Sequence, residues 1–221
     1  MRTFAIGDIH GCHTALLALL EAVQLRQDDR VILLGDYIDR GPASRQVIET
    51  LLGLRDSCRA VFLRGNHEAM MLSARGDLLK TELWQSCGGA ALLVSYGAEG
   101  REDWAAAIPP AHWEFIDQTV RYFETDTHIF VHACLDPKLD LAEQRDAVLY
   151  WNFFDRLRPH KSGKTIICGH TPQDTGKPND AGFAICIDTD VVCGRWLTCL
   201  DVGSRKYWQA KDGGDIRLES L

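Results

Sequence analysis

Three short apolar runs near the start of the chain each lead into a glycine followed at once by a side chain able to bind metal. No other feature narrows the possible fold as much. Residues 3–6 run into Gly7-Asp8-Ile9-His10-Gly11, residues 30–34 into Gly35-Asp36-Tyr37-Ile38-Asp39-Arg40-Gly41, and residues 60–63 into Gly65-Asn66-His67-Glu68. Between them, residues 13–24 and 43–54 carry leucines at helical spacing, and a further helix is expected from about 67 to 74. This β-α-β-α-β rhythm predicts parallel strands with helices on the sheet faces. In an open parallel sheet, ligands bind beyond the carboxyl ends of the strands, so all three loops are expected on one edge.

The middle of the chain, about 77–119, reads differently. It carries Trp84, Gly88-Gly89, Gly97, Gly100, Trp104, Pro109-Pro110 and Trp113, a pattern of short helices joined by turns. It is read as a helical insertion and not as a domain of its own. Strand patterns return at 121–124 and 128–132, then at 165–168, 183–187, 196–201 and 205–209. Val202-Gly203-Ser204 suits the turn between the last two. Two β-rich halves around a helical middle predict an α/β fold in which two mixed sheets pack as a sandwich flanked by helices. One domain spanning 1–221 is expected, with the acidic tail from 212 to 221 as a loosely held end.

Two later strands also end in candidate ligands, at Val131-His132-Ala133 and Gly169-His170-Thr171. The collected donors are Asp8, His10, Asp36, Asn66, His132 and His170. Carboxylate, amide oxygen and imidazole together suit manganese, iron or zinc better than calcium, which takes oxygen ligands. Six donors exceed what one ion needs if it is to keep positions open for water and substrate. They suit two ions about 3.5–4 Å apart sharing a carboxylate, the arrangement that clamps phosphoryl oxygens and acidifies water. His13, His112, His128 and His160 fall outside this pattern and are expected to be surface or partly buried residues.

Charge and cysteine content bound the alternatives. With 24 Lys and Arg against 31 Asp and Glu the net charge is −7, which disfavours a dedicated nucleic-acid partner. No apolar run approaches the roughly 18–20 residues that span a bilayer, and no leader pattern precedes the first strand. A cytoplasmic, membrane-free protein is expected. The eight cysteines include no Cys-x-x-Cys pair and several sit in apolar strands, so they are read as reduced core thiols. Cys12 is singled out because it adjoins the first metal loop.

Asp8-x-His10, Gly35-Asp36-x-x-Asp39-Arg40-Gly41, Gly65-Asn66-His67-Glu68, His132 and Gly169-His170 together resemble the calcineurin-like metallophosphoesterases. Gly35-Asp36-Tyr37-Ile38-Asp39-Arg40-Gly41 is similar to the phosphoprotein phosphatase branch, which includes small bacterial and lambda-phage-type serine/threonine phosphatases and symmetrical diadenosine tetraphosphatases. The resemblance implies a first metal held by Asp8, His10 and Asp36, and a second held by Asp36, Asn66, His132 and His170. It implies a hydroxide bridging the two ions as nucleophile, His67 as general acid, Asp39 orienting His67, and Arg40 gripping phosphate. Manganese is the expected ion, with iron or zinc as alternatives.

Departures from the family pattern bear on substrate. Phe153 stands where a second phosphate-clamping arginine is expected in Tyr150-Trp151-Asn152-Phe153-Phe154-Asp155-Arg156; Arg156, one helical turn on, is the candidate replacement. Arg64 is a further candidate phosphate ligand, although internal pairing is the favoured role. Family members tend to carry glycine where Cys134 and Asp190 stand, and Asp190 is expected near the substrate rim. The leading functional expectation is a serine/threonine protein phosphatase working as a monomer on a phosphoprotein or small phosphorylated substrate. The alternatives are a dinucleoside polyphosphate hydrolase and, behind it, a phosphate-binding pseudoenzyme.

Overall fold

Unbroken apolar runs, Phe4-Ala5-Ile6 and Val31-Ile32-Leu33, build the two central strands, because each strand buries both of its faces. The computed structural model describes residues 1–221. It begins β1 (Thr3–Ile6), α1 (His13–Val23), β2 (Arg30–Leu33), α2 (Ser44–Ser57), β3 (Arg59–Phe62) and α3 (Asn66–Ala74). β1 pairs in parallel with β2, and β2 with β3. Phe4, Ile6, Val31 and Leu33 pack on Leu16, Leu19, Val47, Ile48 and Leu51 of the helices, whereas Ala5 and Ile32 face the opposite way into the second sheet. A period of two divides these side chains between two cores.

The middle is helical as expected: α4 (Leu78–Trp84), a distorted turn at Gln85–Gly89, α5 (Ala90–Ser95), a 3-10 turn at Trp104–Ala107 and α6 (Pro110–Asp117). Trp84, Trp104 and Trp113 pack against one another and join the core over the first sheet. β4 (Tyr122–Glu124), β5 (His128–Val131), α7 (Asp146–Trp151), β6 (Thr165–Cys168), β7 (Asn179–Asp180) and β8 (Ala184–Cys186) then form a five-stranded sheet in the order β4-β5-β6-β8-β7. The chain returns to the first sheet through β9 (Leu197–Asp201), β10 (Lys206–Ala210) and β11 (Ile216–Ser220), in the order β11-β10-β9-β1-β2-β3. Both sheets mix parallel and antiparallel pairs. Ala5, Ile32, Leu34 and Leu200 from one sheet meet Phe130, Ile167 and Ile185 from the other, a core of the sandwich type.

Three expectations need correction. The tail is not a loose end: residues 216–220 form an edge strand in register with β10, pairing Trp208 with Leu218 and Ala210 with Ile216. The cysteines are also not uniformly core thiols, because Cys87 and Cys193 are exposed. His112 and His160 are more buried than expected. His112 meets the Tyr96 hydroxyl at 2.7 Å and His160 donates to the Leu139 carbonyl at 2.9 Å. No helix is long and apolar enough to cross a membrane.

Candidate metal centre

The loops after β1, β2, β3, β5 and β6 converge on one edge of the sandwich, and Asp36 stands at their centre. Its Oδ2 faces His10 Nε2 at 3.5 Å and His67 Nε2 at 4.0 Å, while its Oδ1 faces His132 Nε2 at 3.5 Å. Two groups of candidate ligands therefore share one carboxylate: His10, Asp36 and His67 on one side, and Asp36, His132 and His170 on the other. Within each group the ligand atoms lie within 4.8 Å of one another. Asn66 Oδ1 lies 3.0 Å from both His132 Nε2 and His170 Nδ1, which places the amide oxygen with the second group.

The imidazoles are held in defined tautomers. His10 Nδ1 donates to the Ile38 carbonyl at 3.0 Å and His132 Nδ1 to the Leu34 carbonyl at 2.9 Å. Each bond leaves Nε2 as the lone-pair nitrogen facing Asp36. Burial pushes His10 down to about 3, and pushes His170 down to about 4 with help from His132. Burial alone would raise Asp36, but His132, His67 and His10 outweigh it and hold the carboxyl well below its usual range. Burial and the charges of Asp188 and Asp36 push Asp8 well above its usual value. Neutral imidazoles facing crowded carboxylates form a donor set whose charge a divalent ion would neutralise. His67 Nε2 and His170 Nε2 are buried without hydrogen-bond partners, which fits nitrogens kept free for a ligand.

Backbone strain concentrates at the same place. His10, Asp36, Asp39, Arg40 and His170 hold φ of 45°, 51°, 70°, 64° and 63°, a region most non-glycine residues avoid. Each such residue costs about 1–3 kcal/mol and persists only where its surroundings fix it. Glu68 supplies part of that fixing. Its carboxylate is buried and accepts the N–H groups of Asp36, Tyr37 and Gly65, each at 2.9 Å. His67 Nδ1 lies 2.7 Å from Asp39 Oδ2, and the Trp84 indole N–H donates to the same oxygen at 2.7 Å. Burial works against a proton on His67, but Asp36 and Asp39 outweigh it and raise its pKa.

A pocket of about 390 Å³ opens over these groups, lined among others by Arg40, Cys87, Trp151 and Phe153. The two aromatic side chains keep 46% and 53% of their surface exposed, and Phe153 stacks on His170 at 5.5 Å. Of the six expected metal ligands, the structure groups His10, Asp36, His132 and His170 by their ligand atoms and sets Asn66 beside them. Both Asp8 oxygens take the His170 backbone N–H, at 3.2 and 3.1 Å, which sets that carboxylate beside the second group, and His67 stands with His10 and Asp36.

Neither Arg64 nor Arg156 is among the residues that line the pocket. The Arg64 guanidinium donates to Thr119 Oγ1 at 2.9 Å and to the Asp117 carbonyl at 2.8 Å, tying the third loop to the end of α6. Arg156 sits exposed on a 3-10 turn at Phe154–Arg156. Arg64→Ala is thus expected to cost about 1 kcal/mol of stability and to leave kcat/KM for a phosphate ester unchanged; a raised KM would return Arg64 to the site. Asp190 pairs with Arg195, so its charge does not face the rim unbalanced. The Cys12 thiol is buried, and burial pushes it up to about 12, the character of an inert core cysteine. Three contributors escaped the sequence reading. Glu68 stood inside a quoted motif, Trp84 was noted only as part of the insertion, and the buried Asp188 adds its charge beside Asp8.

Comparison with known proteins agrees with this geometry. A symmetrical bis(5'-nucleosyl)-tetraphosphatase of Chromohalobacter salexigens is 43% identical over 75 residues, which cover 34% of this chain and only 27% of that relative. An asymmetrical bis(5'-nucleosyl)-tetraphosphatase of Geobacillus thermodenitrificans is 28% identical over an alignment of 229 positions, covering 88% of each chain. Among solved structures, a putative diadenosine tetraphosphatase superposes with a TM-score of 0.68 at 23% identity, covering 99% of this chain and 93% of its own. A cold-active protein tyrosine phosphatase gives 0.67 at 16%, covering 98% and 78%. Both structural likenesses show the fold. The sequence pattern of the family described as calcineurin-like phosphoesterase matches residues 1–194, the stretch that holds every ligand named above, and the chain belongs to that family.

Proposed function

We propose that the chain is a divalent-metal-dependent phosphomonoesterase acting on phosphoserine and phosphothreonine in proteins, as a monomer in the cytoplasm. The observation that carries this reading is the charge inventory of the pocket. Two ligand clusters share Asp36 beneath a single lining guanidinium, Arg40, enough positive charge to grip one phosphoryl group. Manganese is the proposed ion, with iron or zinc as alternatives, held by Asp36 with His10, His132, His170, Asn66 and Asp8. Such ions supply Lewis acidity toward phosphoryl oxygens and acidify water enough to make it a nucleophile at neutral pH.

The chain's own groups do the rest. Arg40 forks onto two phosphate oxygens, a geometry lysine lacks. His67, its Nδ1–H held by Asp39 at 2.7 Å, presents Nε2 toward Asp36 and carries the proton that the leaving serine or threonine oxygen needs. A second reading, hydrolysis of a dinucleoside polyphosphate, is supported by the near full-length likeness to the asymmetrical tetraphosphatase and by exposed Trp151 and Phe153, on which a base could stack.

Metal-stripped protein is expected to be inactive, and added manganese to restore release of phosphate from a phosphoserine peptide. The expected kcat/KM exceeds that for diadenosine tetraphosphate by at least about tenfold, a preference of about 1.4 kcal/mol in the transition state. The reverse ratio overturns the protein-phosphatase reading in favour of the second. Bound manganese with no turnover of either substrate, or of p-nitrophenyl phosphate, leaves a phosphate-binding pseudoenzyme.

A further inference from the structure

The Asp39 carboxylate is buried and unevenly engaged. Its Oδ2 takes both the His67 Nδ1–H and the Trp84 indole N–H, each at 2.7 Å, while its Oδ1 is buried without a partner. A carboxylate held by one donor can turn about its bond to Cβ; two donors converging on one oxygen fix that turn. Trp84 is fully buried at the end of α4, 45 residues from Asp39 in sequence, so this contact exists only because the helical insertion folds back over the second loop.

The turn that follows Trp84 is shaped to the same loop. The Gly88 carbonyl accepts the Arg40 N–H at 3.0 Å, and a Cβ on Gly88 would come within 2.7 Å of Arg40 Cγ. A Cβ on Gly89 would lie 2.4 Å from the Trp84 ring. The Trp84–Gly89 turn therefore contacts both Asp39 and Arg40, the two neighbours whose φ values of 70° and 64° are costly for non-glycine residues.

We infer that Trp84 is a positioning residue for the His67–Asp39 pair: its indole N–H locks the Asp39 carboxylate so that the His67 ring is held with Nε2 toward the pocket. The inference rests on His67 being the proton donor of the proposed reaction. Trp84 touches no substrate and acts only through Asp39.

The test compares two esters on the manganese-loaded chain. A serine alkoxide leaves poorly without a proton, whereas p-nitrophenolate leaves well without one. Trp84→Phe keeps a buried aromatic ring, though a smaller one, and removes the N–H. It is expected to lower kcat on a phosphoserine peptide about tenfold, to lower it less on p-nitrophenyl phosphate, and to leave KM and metal content unchanged. Combined with Asp39→Asn, it is expected to add little to the loss caused by Asp39→Asn alone, since both break one unit. Equal losses on the two esters, with effects that multiply, would make Trp84 a packing residue and overturn the inference.

A second measurement needs neither turnover nor a tryptophan variant. In metal-free, 15N-labelled protein the Trp84 indole N–H is expected downfield and slow to exchange, and in Asp39→Asn it is expected to shift upfield and exchange faster. An unchanged resonance overturns the inference. Wild-type protein inactive on both esters, with the resonance shifting as expected, would instead fail the proposed reaction and leave the positioning contact standing.

Discussion

Asp36→Asn is expected to remove bound metal and hydrolysis together. The carboxylate of Asp36 is the one group common to both ligand clusters, with Oδ2 toward His10 and His67 and Oδ1 toward His132. An asparagine amide offers one oxygen and one N–H₂, so one cluster loses its shared ligand and both lose its charge. His10 and His170, pushed down to about 3 and about 4, chiefly by burial, are neutral at neutral pH and do not replace the lost carboxylate charge. Metal content should fall below one ion per chain, and kcat by on the order of a thousandfold, about 4 kcal/mol of lost transition-state stabilisation.

His67→Asn is the informative partner to that variant. If His67 gives a proton, its loss lowers turnover by about a hundredfold or more and leaves the metal in place. If His67 is a ligand, as its grouping with His10 and Asp36 allows, metal is lost as it is in Asp36→Asn. Metal content measured beside kcat for both variants decides which role is correct.

What could be read in the sequence follows from how local each signal is. The strand-glycine-donor pattern was legible because the central strands bury both faces, and glycine marks where each turns toward the site. That reading carried the sheet sandwich, the helical insertion and the gathering of Asp36, Asn66, His132 and His170. β11 was not legible: Ile216 and Leu218 alternate with charged residues and stay largely exposed on an edge, so burial leaves little trace there. Arg64 was ambiguous because its partners, the Asp117 carbonyl and Thr119, lie more than fifty positions away. Trp84 had the same difficulty, since an indole that bonds a distant carboxylate looks in sequence like any core tryptophan. The grouping of His67 with His10 and Asp36, and the contact of Asp8 with the His170 backbone, were not legible because spacing sets which loop a residue occupies and not which way its side chain turns.

Glu68→Ala is expected to give the largest loss of stability among single substitutions outside the ligand set. The Glu68 carboxylate is the physical link between the second and third loops: Oε2 accepts from Asp36 and Gly65, and Oε1 from Tyr37. All of these groups are buried, so alanine leaves three backbone donors without protein partners. At about 1–3 kcal/mol for each unsatisfied group, partly relieved by relaxation or water, the cost is about 3 kcal/mol or more. For a chain of this size that lowers Tm by about 6–12 °C. Glu68→Gln is the milder variant. Burial and the Asp36 charge push the Glu68 carboxyl up to about 7, so a neutral side chain of the same shape is close to a state the site already tolerates. Its oxygen can keep the two donors at Oε2, at the expense of an N–H₂ facing Tyr37. The order expected in thermal unfolding of metal-free protein is wild type, then Gln, then Ala; metal must be absent because ions bound only by the folded state would mask the difference. A loss below about 1 kcal/mol for Glu68→Ala would mean that water replaces the carboxylate and that another contact holds the two loops. The junction leaves little room for one: a Cβ on Gly65 would already lie 2.1 Å from Asp36 Oδ1 and 2.8 Å from Glu68 Oε2. Packing that tight is what keeps Asp36 at φ 51° and aims its two oxygens at different histidines.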